Sequence, residues 1–430
     1  MKKSNRIINN AAWIILCRIV QSVMSFLIGT LTARYLGPSN YGIISYAGAI
    51  VAFLLPVVQL GFRSTVVYDL IDSPKDEGKI LGTVLTSSFI ASLLGMMSVA
   101  LFVFAVNGDS KDTVIVCILY SISLLFQSLE LIQYWFQAKL LSKYTSVVSL
   151  FAYFIVSIYK AYLLVSGKSV NWFALSYALD YFVVSFALVI IYHFLGGQKL
   201  KFSYSLFKKM FIKSKYYILS SLMVIVYQQT DRIMISVMLD EQSNGYYSAA
   251  FTTACIASFV FSAIIDSARP IILEIKINLL SFQKKMTSLF SIIIYLGFAQ
   301  SIFFVIAASF CIEFLFGESY QPSIPILQVL TWYSTFSYIG SVRNIWILAE
   351  SKQSVLWILN LCGAVFNIAG NLVLIPLCGS IGAAIASVVT YVFVDIVLCL
   401  IMRRTRPCIV LVFKSLDPRY LFKMFTNEKV

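Results

Sequence analysis

The sequence predicts an all-α integral membrane protein of about twelve transmembrane helices, and three observations carry that expectation. First, 60% of the 430 residues are hydrophobic and only 12% are charged, with a mean hydropathy of +0.86. A water-soluble chain of this length needs far more polar surface. Second, apolar runs long enough to cross about 30 Å of hydrocarbon recur from end to end. Third, Lys and Arg crowd into every second connection between those runs, the bias that orients spans in a bilayer.

The runs lie at approximately 11–36, 41–62, 80–106, 114–138, 145–166, 170–195, 216–239, 244–268, 287–316, 324–349, 353–375 and 379–402. The first follows a basic Met1–Arg6 segment and contains Arg18. It lacks a short apolar core ending in a small-residue cleavage site, so it reads as span one and not as a signal peptide. The connections are short and built from turn formers, as in Gly37-Pro38-Ser39-Asn40, Asn107-Gly108-Asp109 and Gly317-Glu318-Ser319. With the N-terminus placed in the cytoplasm, the inward segments hold 26 Lys and Arg against 2 outward, Lys111 and Lys168. The expectation is a multi-pass protein of the cell inner membrane with both termini cytoplasmic.

The longest internal connection, 196–215, is basic and separates two sets of six spans. It organises the chain into an N-terminal bundle at 1–195, a basic cytoplasmic linker at 196–215, a C-terminal bundle at 216–402 and a basic cytoplasmic tail at 403–430. The bundles read as related. Ser39-Asn40 after span one and Ser243-Asn244 after span seven stand 204 residues apart, and Arg63 and Arg269 stand 206 apart. An even number of spans per half makes the repeats parallel, related by a pseudo-two-fold axis along the membrane normal. Two six-helix bundles around a central cavity are an alternating-access architecture.

Ionisable residues inside spans cost about 2.5–3.5 kcal/mol each on insertion scales, so they point to function. The cations are Arg18, Arg34, Lys160, Arg232 and Arg343, with Arg63 and Arg269 at span ends; the acids are Glu130, Asp180, Asp231, Asp266 and Asp395. In span one, Arg18, Ser22, Ser25, Gly29 and Thr32 recur at helical spacing and form one polar stripe. Span eight repeats the pattern with Ser248, Thr252, Cys255, Ser262, Asp266 and Arg269. Span two offers Ser45, Gly48, Gln59 and Arg63, and span seven Ser221, Gln228 and Arg232. A cationic cavity of Arg18, Arg34, Arg63, Arg232 and Arg269 suits a phosphate-bearing anion, because guanidinium forks pair bidentately with phosphate oxygens. Asp180, Asp231, Asp266 and Asp395 are the candidates for a coupling proton or sodium ion. The plainer alternatives are snorkelling of Arg34, Arg63 and Arg269 to headgroups, buried pairing of Arg18 and Arg232, and an interfacial aromatic belt for Tyr134, Trp135 and their like.

Other chemistries find little support. The net charge of +14 lies in loops and not on one soluble face, which argues against nucleic acid. The eight cysteines form no CxxC pair and read as small packing side chains. A single histidine, His193, gives neither a histidine metal site nor a Ser-His-Asp triad a foundation. No cofactor and no metal are expected.

Three stretches resemble the Wzx-type O-antigen flippases, in the polysaccharide transport family of the multidrug/oligosaccharidyl-lipid/polysaccharide exporter superfamily. They are Ala33-Arg34-Tyr35-Leu36-Gly37-Pro38-Ser39-Asn40-Tyr41-Gly42, Gln133-Tyr134-Trp135-Phe136-Gln137-Ala138-Lys139, and Gln229-Thr230-Asp231-Arg232-Ile233-Met234-Ile235 followed by Gly245-Tyr246-Tyr247-Ser248-Ala249-Ala250. The resemblance implies a pair of six-helix bundles with a cationic lumen, coupled to an ion gradient. Its substrate would be an undecaprenyl-diphosphate-linked repeat unit, flipped from the cytoplasmic to the periplasmic leaflet. It places Arg34, Asp231 and Arg232 in matching motifs. The partners it implies are the lipid-linked oligosaccharide diphosphate, membrane lipids and other polysaccharide-assembly proteins. Twelve spans depart from the fourteen of lipid II flippases, which weakens that substrate.

Two rival readings remain. A multidrug-type exporter of organic cations needs an acidic or aromatic cavity, against the excess of intramembrane arginine. A membrane-embedded polysaccharide polymerase or ligase commonly carries a large outward loop, and every outward loop here is short.

Overall fold

A computed structural model describes residues 2–421; the side chains of residues 2–16, Arg18, Ser220, Tyr227 and Ile277 lie outside the described set. Among the described residues the chain is helical throughout, with no strand. The long elements are α1 (Lys2–Val58), α2 (Pro74–Asn107), α3 (Lys111–Ala138), α4 (Ser142–Val165), α5 (Val170–Phe194) and α6 (Tyr204–Met238). They continue with α7 (Glu241–Glu274), α8 (Leu279–Phe316), α9 (Ser323–Ala349), α10 (Gln353–Ile401) and α11 (Arg406–Lys414).

Seven described helices are long and apolar enough to cross a membrane, and nine when the two bent pairs α6 and α7 are each counted as one span. Two of the seven are too long for one crossing. From Ile19 to Val58, α1 has 40 residues, about 60 Å if straight and twice the hydrocarbon thickness. It breaks at Gly37, whose φ of 73° is open to glycine at no steric cost, and Pro38 restarts the helix. The 49 residues of α10 break likewise at Gly379, φ 62°. The sequence leads to an expectation of about twelve crossings; the described helices give seven to nine candidate spans of a multi-pass membrane protein.

The chain divides into two compact units, Met1–Val237 and Met238–Val430. In the first, one core gathers Tyr46, Val116, Cys117, Leu124 and Phe173, and a second gathers Phe62, Leu81, Phe136, Tyr192 and Met210. In a bilayer such contacts act by close packing more than by water exclusion. Helices joined by short turns alternate in direction, so this unit has two ends. Tyr35 donates to Lys168 O and Tyr46 to Asn107 Oδ1 at one of them. The other, here the basic end, carries the ion pairs Lys139–Glu77 at 2.9 Å and Lys213–Asp69 at 3.3 Å.

The 196–215 stretch, expected as a linker, lies within the first unit. Residues 198–203 run across the first turns of α2. Gly78 N donates to Gln198 Oε1, Lys201 N to Gly78 O and Ser203 N to Thr83 Oγ1, each at 3.1 Å. Tyr192 donates to Gln198 O at 2.6 Å. A Cβ on Gly78 would stand 2.5 Å from Lys199 O, so only glycine admits the strap so close. The unit boundary falls instead where α6 ends, one helix further along.

In the second unit α7 bends by 45° between Ala254 and Ser258. Gln300 on α8 donates to Ala254 O at 2.9 Å and to Ser334 Oγ at 3.0 Å, tying α7 and α9 to α8. Ser301 and Thr335 share a hydrogen bond of 2.8 Å. On α10, Asn371 donates to Asn367 at 3.2 Å. A π-helical turn at Phe393–Leu398 carries Asp395. The segment after residue 402 is more than a tail: Cys408, Ile409, Leu411 and Val412 of α11 are buried in the unit's core.

Candidate functional site

The first unit gathers ionisable and tyrosine side chains from five membrane helices onto one face. Nearest the basic end, the chain leaves α1 through Leu60 (φ 51°) and Gly61 (φ 67°) and places Arg63 in a short 3-10 turn. Arg63 is exposed, with the Tyr134 hydroxyl and Glu130 within electrostatic reach. Glu130 and Tyr134 share a face of α3 at i, i+4. The interaction continues from Glu130 to Asp180 and Tyr181 on α5.

Deeper from the basic end, Asp180 is a hub. It acts on Tyr120 of α3, Tyr153 and Lys160 of α4, and Tyr177 and Tyr181 of α5. Lys160 is buried, with Nζ 4.0 Å from the centroid of the Tyr177 ring. Tyr177 packs on Tyr120 with centroids 4.6 Å apart, and the Tyr120 hydroxyl would lie 3.2 Å from a Cβ on Gly48, which leaves it room. Tyr153 hydrogen-bonds Ser25 of α1, the centre of the polar stripe expected there. On α6, Arg232 is half-buried, donates to Gln229 Oε1 at 3.0 Å and acts on Tyr120.

The structure places the expected site residues unevenly. Arg63, Asp180 and Arg232 belong to this face. Arg34 is exposed close to the Gly37 break, and Asp231 is buried at 4% exposure. Arg18 falls outside the described side chains. In the second unit Asp266 and Arg269 are exposed and pair with one another at 3.3 Å, one turn apart. Asp395 is buried against Arg343, a direct ion pair.

Two expected stripes do not continue as drawn. The helix of span two ends at Val58, and the positive φ values that follow take Gln59 and Arg63 off its face. In span eight the bend after Ala254 separates buried Ser248 from exposed Asp266 and Arg269. The stripe of span one holds better, since Ser22 and Ser25 are exposed and Gly29 faces open space, while Thr32 is buried on Ile28 O.

Sequence reasoning counted Lys160 and Glu130 among the intramembrane charges without assigning either to the site, and read Tyr134 as interfacial. The signal was present: Tyr153 and Lys160 stand at i, i+7, and Tyr177, Asp180 and Tyr181 at i, i+3, i+4, one face of each helix. A second feature of the same unit is an apolar cleft of about 370 Å³ between α1, α2 and α6, lined by Phe53, Leu54, Val99, Phe102, Thr230 and Ile233. Among the described residues no group of three His, Cys, Asp or Glu side chains is placed to hold a metal ion.

Known proteins share this architecture. The lipid II flippase MurJ, in an inward-closed conformation, matches with a TM-score of 0.72 at 15% identity, covering 97% of this chain and 93% of that one. An inward-facing multidrug resistance MATE family transporter of the MOP superfamily matches with a TM-score of 0.64 at 14% identity, over 92% of this chain and 96% of that one. The MATE multidrug transporter DinF-BH, in complex with R6G, matches at 0.59 and 14%, over 95% and 96%. At such identities the likeness is one of fold. A family model described as polysaccharide biosynthesis protein matches residues 7–276. No curated protein sequence matches the chain.

Proposed function

Because the chain belongs to the polysaccharide biosynthesis protein family, we propose that it is a Wzx-type flippase of lipid-linked oligosaccharides. It carries an undecaprenyl-diphosphate-linked repeat unit from the cytoplasmic to the periplasmic leaflet of the inner membrane by ion-coupled alternating access. The observation that carries this reading is Arg232, held half-buried in a membrane helix on the face that also bears Arg63, Tyr120 and Tyr134. A guanidinium in a membrane helix costs about 2.5–3.5 kcal/mol on insertion scales, and a diphosphate offers the bidentate oxygens it prefers. The fold shared with a lipid II flippase supports a lipid-borne cargo, and the apolar cleft of the same unit suits its hydrocarbon tail.

Asp180 is the favoured coupling acid, because it acts on Lys160 and on the hydroxyls of Tyr177 and Tyr181. Asp231, one residue from Arg232, is the second candidate. The fold shared with multidrug transporters leaves an organic-cation exporter as the rival, and Arg63, Lys160 and Arg232 on one face speak against it. Both termini are assigned to the cytoplasm on the lysine and arginine bias.

The test is reconstitution in proteoliposomes with a fluorescent polyprenyl-diphosphate saccharide, scored by enzymatic access to the opposite leaflet. Arg232→Ala and Arg63→Ala should each slow transfer roughly ten- to a hundredfold, the worth of a charge-assisted hydrogen bond. Transfer at the parental rate in both variants, with protein levels unchanged, would remove the cationic face from the transport path.

A further inference from the structure

We propose that a polar cavity at the basic end of the first unit holds the headgroup of a zwitterionic aminophospholipid, with its ammonium on Asp72 and its phosphate on Lys209. The site is separate from the cationic face described above and does not depend on the flippase reading.

The cavity measures about 280 Å³. One wall is the end of the short helix Val66–Asp72 with the turn into α2; the other is Ser203, the last residue of the strap, with the first turns of α6. Its floor is apolar, with Ile80 and Met210 buried and Leu206 partly so. Its walls carry three lysines and three aspartates, and two of each neutralise one another: Lys79 meets Asp76 at 2.8 Å and Lys213 meets Asp69 at 3.3 Å. Asp72 and Lys209 line the same cavity from opposite walls, yet among the described residues neither joins an ion pair. The third pair therefore stands open across the cavity.

That opening selects the chemistry of its occupant. A simple anion would meet Lys209 but leave Asp72 facing it, and a simple cation would do the reverse. Among the described residues no three acids are placed to hold a metal ion. A ligand with both signs satisfies both walls. A primary ammonium donates to the Asp72 carboxylate and the Ser73 hydroxyl, while Lys209 and the Ser203 hydroxyl donate to a phosphate. The apolar floor receives the carbons between them.

The rim points to a lipid as the source of that group. Tyr68 and Ile71 directly precede Asp69 and Asp72, and Phe202 and Tyr204 bracket Ser203; all four are exposed. Large apolar and aromatic side chains exposed at span ends mark the headgroup layer of a bilayer. Acyl chains lie along such a rim while the headgroup enters the cavity.

The experiment titrates the purified full-length protein with phosphatidylethanolamine, phosphatidylcholine, phosphatidylglycerol and soluble glycerophosphoethanolamine, counting bound molecules by native mass spectrometry. Choline keeps the charge but has no N–H donor, and glycerol has no cation. The parent should bind phosphatidylethanolamine roughly tenfold tighter than the other two lipids. Asp72→Asn should bring phosphatidylethanolamine and phosphatidylglycerol within about threefold of each other. Lys209→Gln should weaken both roughly tenfold. Both side chains are exposed, so the variants should keep the parental fold. Lys75→Gln, exposed nearby but outside the cavity lining, should change nothing. Full preference in both Asp72→Asn and Lys209→Gln overturns the proposal, as does an equal loss in Lys75→Gln, which would reduce the effect to diffuse surface charge. Phosphatidylcholine binding as tightly as phosphatidylethanolamine removes the ammonium from the recognition. Glycerophosphoethanolamine binding as tightly as the lipid overturns the assignment to a membrane headgroup.

Discussion

Replacing Arg343 by alanine tests whether the buried charge of the second unit holds the fold or carries an ion. Arg343 and Asp395 are 6% and 3% exposed and bond directly. The backbone of Gly340 presses on the carboxylate so closely that a Cβ there would lie 2.5 Å from Asp395 Oδ2. Little room is left for water to replace the lost cation. Breaking a buried pair by removing one partner costs about 3–5 kcal/mol. At about 2–4 °C per kcal/mol for a unit of this size, the unfolding midpoint should fall by roughly 6–20 °C.

The protein carries its own reporter for that measurement. Cys399 and Cys408 are free and fully buried in the same core, so a thiol-reactive fluorophore added during heating in detergent reads the opening of the second unit. Asp395→Ala should fall comparably. The double variant Arg343→Met with Asp395→Leu should recover most of the loss, because apolar residues of similar volume replace a buried pair at little or no cost. Single variants that melt within about 2 °C of the parent yet lose ion-driven transport would refute this reasoning and make Asp395 an ion carrier.

Four further outcomes are expected. Arg63→Ala should leave thermal stability within about 0.5 kcal/mol of the parent, since the side chain is exposed, while transfer falls; a matching loss of stability would make Arg63 structural. Gly78→Val should displace the 198–203 strap at a cost of about 1–3 kcal/mol, read as faster tryptic cleavage at Lys199 and Lys201. Asp180→Asn removes the acid that acts on Lys160 and should abolish ion-driven transfer in the proteoliposome assay with protein levels unchanged; ion-driven transfer at the parental rate would remove Asp180 from the coupling. Val99→Trp should fill the apolar cleft and erase any gain in affinity from longer polyprenyl chains, with a short-chain diphosphate bound as before.

What the sequence made legible follows from how far each signal reaches along the chain. Span lengths and the Gly37-Pro38 break are local, and they are found where apolar length and turn chemistry place them. The face of a helix is legible only while the helix stays regular. Leu60 has a positive φ that no residue preference announces, and it moves Arg63 off the expected stripe. The bend after Ala254 does the same to Asp266 and Arg269. Partners distant in sequence are not legible at all: Arg343 meets Asp395 across 52 residues, and Gly78 meets Lys201 across a strap that composition alone describes as a basic linker. The tyrosines were hidden for another reason. Aromatic residues near span ends suit a lipid interface, and only helix-to-helix geometry turns Tyr120, Tyr153 and Tyr177 inward around Asp180.

A physical rule therefore sorts the intramembrane charges of this protein better than their depth does. An arginine or lysine that contacts a carboxylate of its own unit has its field largely cancelled, and an approaching anion must first break that bond. Arg343 and Arg269 are of this kind. A cation supported by tyrosine rings, hydroxyls or amides keeps its field, because those groups orient it without neutralising it. Arg63 beside Tyr134 and Lys160 on Tyr177 are of that kind, and both lie in the first unit. Asp180 acts on Lys160, so neutralising it strengthens the field that an anion there feels. By linkage, an anion bound there raises the affinity of Asp180 for its own neutralising ion by the same factor. Ion and cargo are then coupled through charge at a single face, before any helix has moved.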